Sequence, residues 1–264
     1  MSIMLIMLLL HAMLCHACVS DRATFDSYEL DHPFAHGAFR WVARGSYTHG
    51  DRAGEPCVCK WFKSGAVFEA TFFELDIKAV HKAVEIVKKW NAAGVINKTV
   101  RLNIPEVWQW DNGARKRAGR HLTGSGQISN GVVRTSRKED SNVLSIHAIS
   151  GSKTLVEPFI EKWQKFNSNS GWNDGEATPW SRVMQALSHF SYHATAGSCV
   201  LCDLQGGVYA DGVVLTDPVI LSRDRQFGVT DLGTQGISTF FSQHQVTDDV
   251  GHPPGWEVID GGGH

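Results

Sequence analysis

From Cys199 to Ile237 the chain alternates short apolar runs with polar residues that stand only at their borders. Cys199-Val200-Leu201-Cys202 runs out on Asp203-Leu204-Gln205-Gly206. Val213-Val214-Leu215 runs out on Thr216-Asp217-Pro218, and Phe227-Gly228-Val229-Thr230-Asp231-Leu232-Gly233 leads into Ile237. Apolar runs this short, bounded by glycine and proline, read as buried strands and not as helices. Their polar borders then fall at strand exits, where side chains leave the core and can meet a ligand. Three carboxylates and a carboxamide at such borders suit a hard cation bound through oxygen, as in a metal-nucleotide site. Taken singly, each is also an ordinary turn residue.

The 264 residues allow one large domain or two small ones, and a hydrophobic share of 42% suffices for a substantial core. The formal charge of -2 excludes a general attraction for nucleic acid or acidic lipid. Arg115-Lys116-Arg117, Arg120, Arg134, Arg137 and Lys138 form a local exception in a Gly/Ser-rich segment, 112–142, which reads as a solvated loop. Met1 to Val19 is apolar and Cys18-Val19-Ser20 resembles a signal-peptidase end, but the basic start is missing and His11 and His16 interrupt the run. A cleaved signal, a weak anchor and a start-site extension within residues 1–20 all stay open. Cys57 and Cys59 share one strand face, whereas Cys199 and Cys202 point to opposite faces, which argues against one metal site built from all four. They read as buried free thiols in a reducing compartment.

Ala38 to Arg44 and Cys57 to Phe62 read as strands joined by a Gly45 to Gly54 turn, which sets Lys60 between Val58 and Phe62 on one face. Lys60 there is either a snorkelling surface lysine or one held for phosphate contact. Phe68, Phe72, Leu75, Ala79, Ala83, Ile86 and Trp90 mark an amphipathic helix that ends near Gly94. Its Glu69, Glu74, Asp76 and Glu85 include possible partners for Lys60. Val143 to Ile149 and Leu155 to Ile160 follow as strands, and Pro158 suits a crossover between lobes. Lys165 to Gly171 reads as a turn. Ser181 to Thr195 is a second helix with Val183, Leu187, Phe190 and Ala194 inward and His189 and His193 on another face. Ile237 to Phe241 closes the apolar pattern as a helix.

Magnesium shared with a nucleotide needs only one or two protein oxygens, a description that Gln205 and Asp217 meet. Phosphoryl transfer needs in addition a carboxylate near the acceptor hydroxyl and a cation on the phosphates, work for Asp203 and Lys60. Gly37-Ala38-Phe39-Arg40, Tyr47-Thr48-His49-Gly50, Cys57 to Phe62, Val156-Glu157-Pro158-Phe159-Ile160, Lys165 to Asn169, Gln185 to Phe190, Asp203 to Gly206, Leu215 to Pro218 and Gly236 to His244 occur in order. Together they resemble the alpha-kinase family, the atypical kinases that include myosin heavy chain kinases, elongation factor 2 kinase and the channel-kinases.

The resemblance implies an α+β, two-lobed kinase-like fold with ATP in the cleft between lobes and transfer to Ser or Thr of a protein. It places an N-lobe over 31–155, with the basic loop 112–142, a C-lobe over 156–252 and a tail over 253–264. Lys60 matches the ATP-phosphate lysine, Arg40 a phosphate-loop arginine, and Glu157 the linker residue beside the adenine. Asp203 matches the catalytic aspartate, and Gln205 and Asp217 the magnesium ligands. The glycine-rich element of the family, associated with peptide substrate, falls at Gly228, Asp231 and Gly233, with Val229-Thr230 lacking its middle glycine.

Two departures stand out. The family's structural zinc uses two histidines, here His189 and His244, and two cysteines, at whose positions Val246 and Val250 stand. Hydrophobic packing in place of the metal, recruitment of His193, Asp248 or His252, and decay of the lower lobe all remain open. The Gly207 to Val213 section between Gln205 and Asp217 also looks longer than usual, and the magnesium pair can still converge if the added residues bulge outward. The expected activity is that of an Mg-ATP-dependent Ser/Thr protein kinase, with a pseudokinase scaffold as the alternative and a polyanion-binding protein behind both. ATP and a protein substrate are the expected partners. No specific nucleic acid is expected, nor a membrane unless the leader is retained, and the location is cytoplasmic.

Overall fold

The computed structural model describes residues 21–111, 149–175 and 178–244, together with the backbone of 132–136. The apolar leader, most of the basic segment, the expected strand up to residue 148, and Val246, Asp248, Val250 and His252 with the tail lie outside the described residues. Along the chain the elements are β1 (Arg22–Asp26), α1 (Ser27–Asp31), β2 (Ala35–His36), β3 (Arg40–His49), β4 (Pro56–Phe62), a 3-10 turn (Ala70–Phe73), α2 (Glu74–Ala93), β5 (Thr99–Leu102), β6 (Glu106–Trp110) and β7 (Val132–Ser136). They continue with β8 (Lys153–Pro158), β9 (Gln164–Lys165), α3 (Pro179–Ala194), β10 (Cys199–Cys202), β11 (Gln205–Tyr209), β12 (Gly212–Leu215), β13 (Val219–Ser222) and α4 (Gly233–Gln243). The chain forms two compact units, Met1–Ala70 with Pro105–Phe159, and Thr71–Ile104 with Ile160–His264.

The first unit is a sheet in the order β1-β7-β6-β8-β4-β3-β2, and β1 also pairs with β3, so the ladder returns on itself. Strand alternation sends Cys57, Cys59 and Trp61 to the face where Ala43, Tyr47, Trp108, Trp110 and Val156 form the core. The edge-to-face contacts Phe25–Trp110 and Tyr47–Trp108 lie in this layer. Gly45, read above as the start of a turn, lies inside β3. A Cβ there would stand 2.4 Å from a ring carbon of Phe25, so the glycine answers a packing need and not a turn. The turn proper begins at Gly50, whose φ is +87°.

The second unit holds a four-stranded sheet, β5-β12-β11-β9, and the two-stranded ladder β10-β13. Ala79, Ala83, Ile86, Val87 and Trp90 of α2 meet Met184, Leu187 and Phe190 of α3 and the apolar residues of β10, β12 and β13 in one core. The spacing therefore identifies the buried stripe of α2, but the helix begins six residues after Phe68. Phe68, Phe72 and Leu75 are about half exposed, because the chain before Glu74 makes a 3-10 turn and Phe73 offers no side-chain cap. Apolar spacing carries no information about where a helix starts; capping groups do. In α3 such a signal exists: Thr178 and Ser181 form a capping box, with Pro179 at the first position. Among the described residues no helix is long and apolar enough to cross a membrane.

Candidate functional site

In the first unit, β4 runs antiparallel to both β3 and β8 with Arg40 opposite Phe62, Val42 opposite Lys60, Lys60 opposite Leu155 and Val58 opposite Glu157. Cross-strand partners point to the same face, so Arg40, Lys60 and Glu157 share one face of the sheet. Glu157 lies diagonal to Lys60, and its Oε1 stands 2.5 Å from the lysine Nζ; the two side chains are 2% and 5% exposed. Glu85, one of the acidic residues of α2, pairs with Lys82 and Lys89 on its own helix. Arg40 lays its guanidinium 4.6 Å over the Phe62 ring. A buried lysine held by a carboxylate on the neighbouring strand keeps its direction without being drawn into solvent, which disposes of the snorkelling reading.

In the second unit the chain leaves the β10–β13 ladder at its Cys202–Val219 end. It enters the β11–β12 hairpin, where Gly206 pairs with Leu215 and Tyr209 with Gly212. Thr216 N donates to Gln205 O at 3.0 Å at the mouth of that hairpin. Residues 207–213 are thus a tight two-stranded hairpin and not an outward bulge, since the extra length is taken up in ladder hydrogen bonds. Two close approaches explain its glycines: a Cβ on Gly206 would stand 2.0 Å from Val214 O, and one on Gly212 would stand 1.9 Å from Thr99 O.

Asp203 and Asp217 occupy the two corners between these ladders, and both adopt left-handed backbone, with φ of 56° and 48°. Such conformations cost of order 1–3 kcal/mol for a residue with a Cβ and gather at functional sites. The Asp203 Oδ1 is 2.8 Å from Lys165 Nζ, and Gln205 Nε2 donates to its Oδ2 at 3.4 Å. Burial raises the Asp203 carboxyl above the ordinary aspartate range, the Lys165 ammonium opposes this, and the Asp217 charge adds to the rise. Two like charges at adjacent corners, with a carboxamide between them in the chain, are a donor set that a divalent cation would relieve.

Lys165 and Asn167 were missed as contributors, because both lie in a stretch that reads as a polar turn. Asn167 Oδ1 accepts from Leu204 N at 2.8 Å while its Nδ2 donates to Gln185 Oε1 and Ser188 Oγ, at 2.8 and 3.0 Å. Phe166 N also donates to Leu204 O. The β9 segment is in this way locked on both sides of the Asp203 corner. The lysine followed two residues later by a buried asparagine was the available signal, legible only once β9 is placed beside β11.

The segment from Ser222 to Gly233 is organised from within. Asp231 is buried and accepts from Ser222 N at 2.8 Å, Ser222 Oγ at 2.5 Å, Gly233 N at 3.0 Å and Phe227 N at 3.3 Å. Its carboxylate is therefore spent on the loop's own backbone. Val229 at the tip is 80% exposed, and Gly228 and Gly233 take positive φ values. Asn169 Nδ2 donates to Thr230 O at 2.8 Å, tying this loop to the segment that carries Lys165.

His189 and His244 are brought together, with Nδ1 and Nε2 3.0 Å apart. Cys57, Cys59, Cys199 and Cys202 are all buried free thiols, with Cys199 and Cys202 in different apolar clusters as the opposite-face reading requires.

The model of the alpha-kinase family matches residues 35–249. The alpha-protein kinase vwkA of Dictyostelium discoideum is 39% identical over 92 residues, 34% of this chain and 14% of that protein. The eukaryotic elongation factor 2 kinase of Caenorhabditis elegans is 37% identical over 111 residues, 40% of this chain and 13% of that one. These matched segments span about a seventh of the relatives' length. The alpha-kinase domain of myosin heavy chain kinase A, in complex with AMP, superposes with a TM-score of 0.56 at 20% identity, covering 81% of this chain and 84% of that chain. An alpha kinase from Entamoeba histolytica gives 0.57, likewise at 20% identity, over 81% and 72%. A match of the family model along most of the chain, with that fold beneath it, identifies this chain as a member of the alpha-kinase family.

Proposed function

We propose that this chain is an active Mg-ATP-dependent protein kinase that transfers the γ-phosphate to a serine or threonine hydroxyl of a protein substrate. The observation that carries this reading is the pair of left-handed corners that present Asp203 and Asp217 beside Gln205, with Lys165 on the first carboxylate. Asp203 takes the acceptor hydroxyl's proton or orients that hydroxyl, and its raised carboxyl makes it a better proton acceptor than an ordinary aspartate. Gln205 and Asp217 would hold magnesium, which neutralises charge on the phosphates. Lys60 and Arg40 serve the nucleotide's phosphates, and Glu157 orients the Lys60 ammonium. The loop from Gly228 to Gly233 receives the protein substrate, with Asp231 holding its shape and Val229 meeting the partner.

Solved kinase domains of the same fold were crystallised with AMP, ADP and ATP, which supports a nucleotide as ligand. Cytoplasmic residence accords with the buried free thiols. The test is transfer of labelled γ-phosphate from Mg-ATP to a generic basic protein, with Asp203→Ala beside the native chain. Transfer that disappears in the mutant supports the reading, and equal transfer by both removes Asp203 from its role. The valines at 246 and 250 favour one other reading, a nucleotide-binding scaffold, for which ATP binding without transfer is the expected result.

A further inference from the structure

The family's zinc would use His189, His244 and two cysteines, but Val246 and Val250 stand at the cysteine positions. A structural zinc takes four donors in a tetrahedron, and two imidazoles supply half of them. Among the described residues no group of three or more His, Cys, Asp or Glu side chains converges as a metal site. The third histidine nearby does not complete one. His189 engages His244 Nε2 through Nδ1 and His193 Nε2 through its own Nε2, each at 3.0 Å. The two nitrogens of the central ring point away from each other, so a single ion cannot lie against all three rings. Among the described residues the donor set does not fit the zinc.

We infer that this chain fastens α3 to the end of α4 with a hydrogen-bonded chain of three imidazoles, His193–His189–His244, in place of the metal. A neutral imidazole has one N–H and one lone pair, so the central ring donates through one nitrogen and accepts through the other; each contact holds one shared proton. His189 and His193 stand one helical turn apart on α3, which sets their rings 4.9 Å apart. His244 lies one turn after Phe240, stacks on its ring at 5.1 Å and 16°, and donates its backbone N–H to Phe240 O. Phe241 meets His189 edge-on at 5.4 Å, and Tyr192 meets Phe241 at 4.9 Å. Aromatic rings thus pack against the imidazole chain, whose central ring His189 is buried and whose outer two are partly buried. His193, which has no part in the family's zinc set, is the positioning residue that this arrangement adds.

The test uses the full chain, purified without added metal. Zinc is measured by elemental analysis, and the Tm is followed with and without a strong chelator. The expected result is zinc well below one per chain and a Tm that the chelator does not move. One zinc per chain, or a Tm lowered by chelation, overturns the inference, and neither measurement depends on a variant that folds. His193→Ala should lower the Tm by about 2–4 °C, the effect of about 1 kcal/mol in a chain of this size. His193→Gln, which keeps a donor and an acceptor, should recover part of that loss. An unchanged Tm in His193→Ala, or a Gln variant no better than Ala, overturns the role of His193.

Discussion

Lys60 and Glu157 give up their hydration to meet on one sheet face, and each supplies opposite charge to the other at 2.5 Å. Removal of the ammonium alone leaves the carboxylate buried without it, so Lys60→Met should cost about 3–5 kcal/mol of stability as well as abolish transfer. Urea unfolding separates the effects: Lys60→Met/Glu157→Leu should regain most of the stability and none of the activity. At Asp203 the sign is opposite to that of an ordinary paired aspartate. Its folded-state pKa lies above the unfolded value because burial outweighs Lys165. Its contribution to stability is thus fully present below the unfolded pKa and is lost as pH rises through the folded pKa. Asp203→Asn should consequently unfold at higher denaturant than the native chain at neutral pH while transfer is lost. Lys165 favours the charged carboxylate, so Lys165→Met should move the acid limb of kcat/KM to higher pH; an unmoved limb would remove Lys165 from the site.

Elements matter here chiefly through their corners. The β11–β12 hairpin carries Gln205 at one mouth and delivers Asp217 at the other, so its ladder sets the geometry of the proposed cation site. The loop from Ser222 to Gly233 is likewise built around one buried carboxylate that accepts from three backbone amides and a hydroxyl. Asp231→Ala strands these donors and should cost about 1–3 kcal/mol. Hydrogen exchange should quicken at the amides of Phe227 and Gly233, and KM for the protein substrate should rise more than KM for ATP. Equal changes in both KM values would make Asp231 a general stability residue. The elements themselves were largely legible: the α2 stripe, the α3 span and strands β4 and β10 follow from period and capping. The start of α2 and the hairpin at 205–215 were not, because the first has no side-chain cap and the second is written in glycines whose purpose is close backbone approach.

At the scale of the molecule, the four cysteines among the described residues are free thiols in three buried clusters, Cys57 and Cys59 sharing one. Burial pushes Cys57 up to about 12 and raises the thiols of Cys59, Cys199 and Cys202. In a Cys15→Ser/Cys18→Ser chain at pH 8, a thiol reagent should therefore find no fast-reacting group until denaturant exposes all four. A rapid thiol in the folded protein would contradict the packing. The second unit takes α2 and β5 from between strands of the first, an exchange that chain order does not announce. What the sequence by itself determined is the set of chemical groups and the edges on which they stand: Lys60 within a strand, Asp203, Gln205 and Asp217 at strand exits, and valines where the family has cysteines. Tertiary structure alone decided the partners, Glu157 for Lys60 and Lys165 for Asp203, and it turned Asp231 inward. Both pairings, Lys60 with Glu157 and Lys165 with Asp203, join residues far apart in the chain. They depend on strand register, which is fixed only when whole faces are buried together.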